Sequence, residues 1–290
     1  MRRTLAEYEQ EWERNAKLDP FFAILSSKDC KDGRWDIDEF FSTGRAEIDL
    51  IFRHLEKIGA QPATNGRFLD FGCGVGRLSR ALILRFPRGV AIDISSRMIK
   101  LAKYYSTNDP VKVEYITNKG EDLSQIKSAS ISFLYCHLVL QHMPNELAAR
   151  FIGEFCRVLE LGGIAAFQIL VGSVPREGGA VAKLQSWISR ALPQPIKAPI
   201  KAFVKKIAGM NAVTMEMNCL AESTINNIIA NGCCVLEKLE FSNSAESDHK
   251  GNIEFFSREE AIRRILDGRA RSNFLSAFYF VRKISGAQTS

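Results

Sequence analysis

The sequence predicts an α/β protein: a doubly wound, mostly parallel sheet of seven strands, flanked by helices and topped by helical lid elements. Three observations carry that expectation. Phe68-Leu69-Asp70-Phe71 runs into Gly72, Gly74 and Gly76, and Leu78, Ala81 and Leu82 then recur at helical spacing. Short apolar runs alternate with helix-period segments from there to about residue 170, the pattern of strands joined by crossover helices. Two further apolar runs, Cys233–Phe241 and Ser276–Lys283, add the last strands.

The elements follow in order. Residues from about 4 to 18 form an amphipathic helix, with Leu5, Tyr8, Trp12 and Ala16 on one stripe and Glu7, Glu9, Glu11 and Glu13 mostly off it. Asp19-Pro20 stops it. Gly33 to Gly44 leads into a helix that buries Ile48, Ile51, Leu55 and Ile58 and ends at Gly59; Trp35, Phe41 and Gly44 are candidate lid residues or a plain packing layer. At the glycine turn the backbone takes positive φ or lies against a ligand with no room for a Cβ. Arg88 to Ser95 is the second strand, ending in Asp93, seventeen residues past Gly76. Ser95 and Ser96 offer N-caps to the next helix, which buries Met98, Ala102 and Tyr105. Val111–Ile116 is the third strand and Ile131–Cys136 the fourth, running on through His137 and His142 to Pro144. A helix follows (Leu147, Phe151, Phe155, Val158, Leu159), then a Leu161-Gly162-Gly163 turn and strand Ile164–Leu170. Ala221 to Ala230 reads as helix, and Ser257 with Glu260 makes a capping box for a short one.

The glycine spacing excludes the dinucleotide fingerprint G-x-G-x-x-G, whose third position falls on Arg77. What stands is D-x-G-x-G-x-G, from Asp70 to Gly76. This resembles motif I of the class I S-adenosylmethionine-dependent methyltransferases. Asp93 at the tip of the second strand fits the resemblance, since a carboxylate there accepts hydrogen bonds from ribose hydroxyls. The match covers residues 65–172 well and the flanks loosely. It implies S-adenosyl-L-methionine as cofactor, S-adenosyl-L-homocysteine as product, and a cofactor site formed by Asp70, Gly72, Cys73, Gly74, Gly76, Asp93, Ile94, Gly120, Glu121 and Cys136. The sequence departs from the family at Lys119 and Ser132, where Asp is commonest, so the adenine contact falls to Asn118, Gly120 or Glu121. The organisation expected is a lid over 1–44, a cofactor-binding core over 45–172, a basic helical insertion over 173–215, and the rest of the core sheet over 216–290.

His137 directly follows the fourth strand, His142 is five residues on, and His249 comes after the sixth. His142 and then His137 are the candidate catalytic bases, because an oxygen nucleophile of high pKa profits from a group that titrates near neutrality. Amine or carbanion acceptors need none, and either ring could instead order its loop. No metal site is expected. The family's nucleic-acid enzymes carry Asn or Asp before Pro-Pro and an aromatic after strand four; Cys136-His137-Leu138-Val139 stands here, and no Pro-Cys nucleophile occurs. Nucleic acid is therefore disfavoured, and the expected acceptor is an oxygen or nitrogen of a small molecule, glycan or lipid precursor. Two rival readings are an RNA or protein methyltransferase and a non-catalytic cofactor-binding module.

Charge and composition add bounds. Residues 173–215 hold seven Lys and Arg against one acid, a local +6 that equals the formal excess of the whole chain. Such a stretch attracts an anionic substrate or a membrane surface, or is simply a solvated face. At 290 residues and 46% apolar content the chain can fill one doubly wound core. No run is long enough to cross a bilayer, and the opening residues lack a secretory h-region, so a cytoplasmic protein is expected. Seven scattered cysteines without C-x-x-C spacing read as reduced thiols, mostly buried.

Overall fold

The computed structural model describes residues 4–109, 113–175, 217–245, 252–270 and 272–285. Helix α1 (Leu5–Leu18) opens with a capping box, in which the Glu7 amide donates to Thr4 Oγ1 and the Thr4 amide to Glu7 Oε2. Asp19 caps the short α2 (Pro20–Ile24) with Pro20 in its first turn. Helix α3 (Ile37–Lys57) starts well before the Ile48 stripe, because Asp36 caps it by accepting from the Glu39 amide at 2.8 Å. Gly44 therefore lies inside the helix. A Cβ there would stand 2.3 Å from the Arg77 carbonyl oxygen, so glycine lets α3 pack directly on the turn after β1.

The core alternates as expected: β1 (Arg67–Phe71), one-turn α4 (Ser79–Leu82), β2 (Arg88–Asp93), α5 (Ser96–Tyr105), β3 (Val113–Thr117), β4 (Ile131–Cys136), α6 (Asn145–Val158) and β5 (Leu159–Ser173). Strand β5 is longer than the sequence suggests. Leu161-Gly162-Gly163 is not a turn ahead of it; the three residues are absorbed into the strand as a register shift against β4, whose Ile131 pairs with Leu159 and Phe133 with Ile164. Helix α7 (Glu222–Asn231), β6 (Cys234–Ser242), β7 (Phe255–Phe256), α8 (Arg258–Leu266) and β8 (Phe274–Lys283) complete the described elements.

The sheet has eight strands in the order β3-β2-β1-β4-β5-β8-β6-β7, one more than the seven expected. The addition is the two-residue β7 on the β6 edge, too short to show a strand period. Strands β1 to β5 run parallel, and β8 is antiparallel to both β5 and β6. Strands β1, β2, β4 and β5 are buried on both faces, while the edge strand β3 exposes Glu114. Leu69, Phe71, Val90 and Ile92 pack towards α6, while Phe68, Ala91, Phe133 and Tyr135 pack towards α3 and α4. Strand order reverses between β1 and β4, which opens a crevice beyond their carboxyl ends. All seven cysteines are free thiols, five of them buried. Among the described residues no helix is long and apolar enough to cross a membrane.

Candidate active site

A cavity of about 530 Å³ occupies that crevice. Its floor is the glycine turn and the tip of β2: Gly72, Cys73, Gly74, Asp93 and Ile94 all line it. Gly74 adopts φ +52°, and its amide donates to Asp93 Oδ2 at 2.9 Å. The Ser95 amide donates to Asp93 Oδ1 at 2.8 Å. These bonds lock the carboxylate against the turn and leave further lone pairs for a ligand, since an ionised carboxylate offers about four acceptor sites. Burial pushes the Asp93 pKa up to about 6, against the pull of the two amides. The Cys73 thiol also lies on the floor, with its pKa raised well above normal by burial.

Four of the expected cofactor residues lie off the wall. Asp70 is buried behind the turn, where it accepts from Ser79 Oγ at 2.5 Å and ties the start of α4 to β1. Burial raises its pKa to about 7. Gly76, at φ +84°, serves packing, because a Cβ would stand 2.8 Å from the Tyr115 hydroxyl. Cys136 is fully buried in the sheet core, and Glu121 is exposed and pairs with Arg150. Of the three adenine candidates, Asn118 and Gly120 line the cavity. The Asn118 side chain is turned into its own loop, accepting from the Gly120 amide at 3.0 Å and donating to the Asp122 carbonyl at 2.9 Å.

The roof comes from α1 and α2, with Tyr8, Trp12, Asn15, Phe22 and Ile24 on the cavity wall. Trp35 and Phe41 do not reach the wall. They pack with Phe40 and Val75 beneath it, and Trp35 Nε1 donates to the Leu25 carbonyl at 3.3 Å. Helix α1 is held down from its charged side: Glu13 accepts from Ser96 Oγ at 2.8 Å, and Glu9 pairs with Lys119 Nζ at 2.5 Å. Lys119, a departure from the family pattern, thus anchors the roof.

Beyond β4, His137 and His142 both line the cavity, with Met143, Leu147, Phe151 and Met217. His142 meets Trp12 edge to face at 5.6 Å, and its Nε2 lies 3.2 Å from Gln141 Nε2. His137 Nδ1 lies 2.7 Å from Glu47 Oε1. Glu47, on α3, also takes the Tyr135 hydroxyl at 2.9 Å and Arg77 Nη2 at 2.8 Å. Neither Glu47 nor Gln168, which links Gln141 to the Leu138 amide, was singled out from the sequence. Both carried a signal: each is a polar residue in an otherwise apolar pattern, one on the Gly44–Ile48–Ile51 face of a helix and one within Ile164–Leu170. His249 and almost all of the basic insertion lie outside the described residues.

Residues 69–167 match a family model described as a methyltransferase domain. Residues 69–167 thus carry a methyltransferase domain, in keeping with the resemblance to the class I S-adenosylmethionine-dependent methyltransferases. Over 141 residues the chain is 30% identical to a ubiquinone biosynthesis O-methyltransferase of Xanthomonas campestris, covering 48% of this chain and 58% of the relative. A protein of the same description from Xanthomonas oryzae is 27% identical over 183 residues, 62% of this chain and 70% of that one. The chain thus spans little more than half the length of the first of these relatives. Its fold is similar to that of magnesium protoporphyrin IX methyltransferase from Synechocystis with bound SAH, at TM-score 0.54 and 15% identity, over 96% of this chain and 99% of that one. It is likewise similar to a SAM-dependent methyltransferase of Leishmania major, at TM-score 0.54 and 10% identity, over 97% and 87% of the two chains.

The cavity wall fits the cofactor of this family. Besides the Asp93 carboxylate, it carries two buried donors, Asn15 Nδ2 and Arg77 Nε, that have no hydrogen-bond partner among the described residues. Buried donors without partners need an explanation, and an amino-acid carboxylate next to the glycine turn would supply the missing acceptors.

Proposed function

We propose that this methyltransferase transfers the methyl group of S-adenosyl-L-methionine to an oxygen, or a nitrogen, of a small molecule with a substantial apolar body. The observation that carries the reading is one cavity lined by two unlike sets of residues. Gly72, Gly74 and Asp93 suit a ribose-bearing ligand, and Trp12, Met143 and Met217 add an apolar lining beside His137 and His142. When bound, the cofactor supplies an electrophilic methyl on a sulfonium. The chain's own task is then to align a nucleophile and exclude water, and a roof of α1 and α2 over an apolar wall suits that task.

In this reading Asp93 accepts from the ribose hydroxyls, Asn15 and Arg77 meet the carboxylate, and Gly120 lies against the adenine. Oxygen is favoured because the curated relatives are O-methyltransferases by name. Glycan, lipid-linked and anionic acceptors belong to the same proposal through the basic stretch 173–215. The wall itself favours an apolar ring or chain, since its one guanidinium among the described residues, Arg77, is already paired with Glu47. The test is a screen with isotopically methyl-labelled cofactor against phenols, catechols, hydroxylated lipids and amines, read by mass. Label on a phenolic or other hydroxyl of an apolar acceptor is the expected result. Label confined to RNA or protein, or to no acceptor class at all, would contradict it.

A further inference from the structure

We infer that Glu47 and Arg77 hold His137 as the tautomer with its proton on Nδ1, making Nε2 the proton-accepting atom of the cavity. This rests on reading the cavity as a methyl-transfer site. Glu47 is fully buried on α3, and three donors converge on its carboxylate: Arg77 Nη2 at 2.8 Å, Tyr135 OH at 2.9 Å and His137 Nδ1 at 2.7 Å. Arg77 is itself only 2% exposed and is steadied by Thr43, whose hydroxyl accepts from Nη1 at 3.4 Å. A carboxylate beside a buried guanidinium stays ionised, and an ionised carboxylate only accepts. His137 Nδ1 must therefore be the donor, and in the neutral ring the lone pair is left on Nε2.

The Glu47 carboxylate is then in place to stabilise the imidazolium that forms when an acceptor delivers a proton. A carboxylate behind the base, fixing tautomer and orientation, is a recurring way to prepare a histidine for proton transfer. In the step proposed, the acceptor's O–H bond breaks, its proton moves to His137 Nε2, and the electron pair stays on the oxygen that is methylated.

His142 is wired differently. The Leu138 backbone amide can only donate, and it donates to Gln168 Oε1 at 3.1 Å. Gln168 Nε2 therefore donates to Gln141 Oε1 at 3.0 Å, and Gln141 Nε2 is left to donate to His142 Nε2 at 3.2 Å. That chain occupies the lone pair His142 would need as a base acting through Nε2. Glu47 and Arg77 are positioning residues for His137, and the Gln168–Gln141 pair positions His142 against Trp12.

The groups around His137 include Glu47 and Arg77 of the cluster, Tyr135 on β4, and Phe278 on β8 with its ring centre 5.4 Å away. Asp70 on β1 lies within electrostatic reach of Glu47 and Arg77. The test is two-bond proton–nitrogen correlation spectroscopy on full-length protein labelled at its four histidines, with His137 assigned by its missing signal in His137→Asn. The expected pattern is protonated Nδ1 and unprotonated Nε2. In Glu47→Gln the His137 titration midpoint should fall by about one pH unit or more, the size of a lost neighbouring charge. A wild-type ring protonated on Nε2, or a midpoint unmoved in Glu47→Gln, would overturn the inference. The wild-type tautomer needs no variant, so it decides the matter even if Glu47→Gln does not fold. Calorimetry with S-adenosylhomocysteine separates the two levels. The wrong tautomer in a protein that binds it sinks this inference alone; the right tautomer in a protein that binds no adenosyl compound sinks the methyl-transfer reading and the base role with it.

Discussion

On one part of the cavity wall, Gly72, Gly74 and Asp93 come from a single stretch of chain, tied by the Gly74 amide to the Asp93 carboxylate and by the Gly72 amide to the Ile92 carbonyl. On the other part, Trp12, His137, His142 and Met217 come from segments far apart in sequence, and side chains from α3 and β5 hold the two histidines in place. The first part depends on backbone conformation and needs few side chains. The second depends on buried polar networks that no short motif records. Substitutions in the two parts should therefore fail in different ways.

The largest effect is expected in the networked part. Glu47→Ala leaves the Arg77 guanidinium buried without its carboxylate, which should cost about 3–5 kcal/mol of stability, read by denaturant unfolding. A loss under about 1 kcal/mol would mean that the network contributes little to holding that part together. Next comes the contact between α3 and the turn. Gly44→Ala forces a Cβ to within 2.3 Å of the Arg77 carbonyl and should destabilise by about 1–3 kcal/mol. In the motif part the signature should be binding. Asp93→Ala should weaken S-adenosylhomocysteine at least about tenfold, about 1.4 kcal/mol, by calorimetry; unchanged affinity would remove the ribose assignment.

The smallest effect is a pH dependence. Burial raises the Asp93 pKa from 3.8 to about 6 in the folded protein. An ionised carboxylate holds ribose hydroxyls more strongly than a protonated one. Cofactor affinity should therefore be flat above about pH 7 and fall as pH drops through about 6, by no more than about tenfold per pH unit. Asp93→Asn should flatten that slope, whereas Glu47→Gln should leave it in place.

What could be read from the sequence follows the same divide. The parallel core, the glycine turn, Asp93 at the tip of β2 and the Ser95 and Ser257 caps all rest on local patterns, and the structure carries each of them. Helix α3 begins earlier than the apolar stripe implied, because a capping Asp and a packing requirement at Gly44 outweigh the usual reading of glycine as a boundary. Asp70 sits in the motif yet turns to Ser79, since the strand's alternation points it away from the cavity. Glu47 and Gln168 escaped notice because their partners, His137 and Gln141, lie ninety and twenty-seven residues away. Only the fold brings such pairs together.

Calorimetric titration of the full chain with S-adenosyl-L-methionine, S-adenosyl-L-homocysteine and NAD tests the central claim most directly. Binding of both adenosyl compounds near the micromolar range, about −8 kcal/mol, with no heat from NAD, is the result expected of this cavity. Binding of NAD, or of none of the three, would contradict the assignment of the glycine turn and Asp93 to this cofactor.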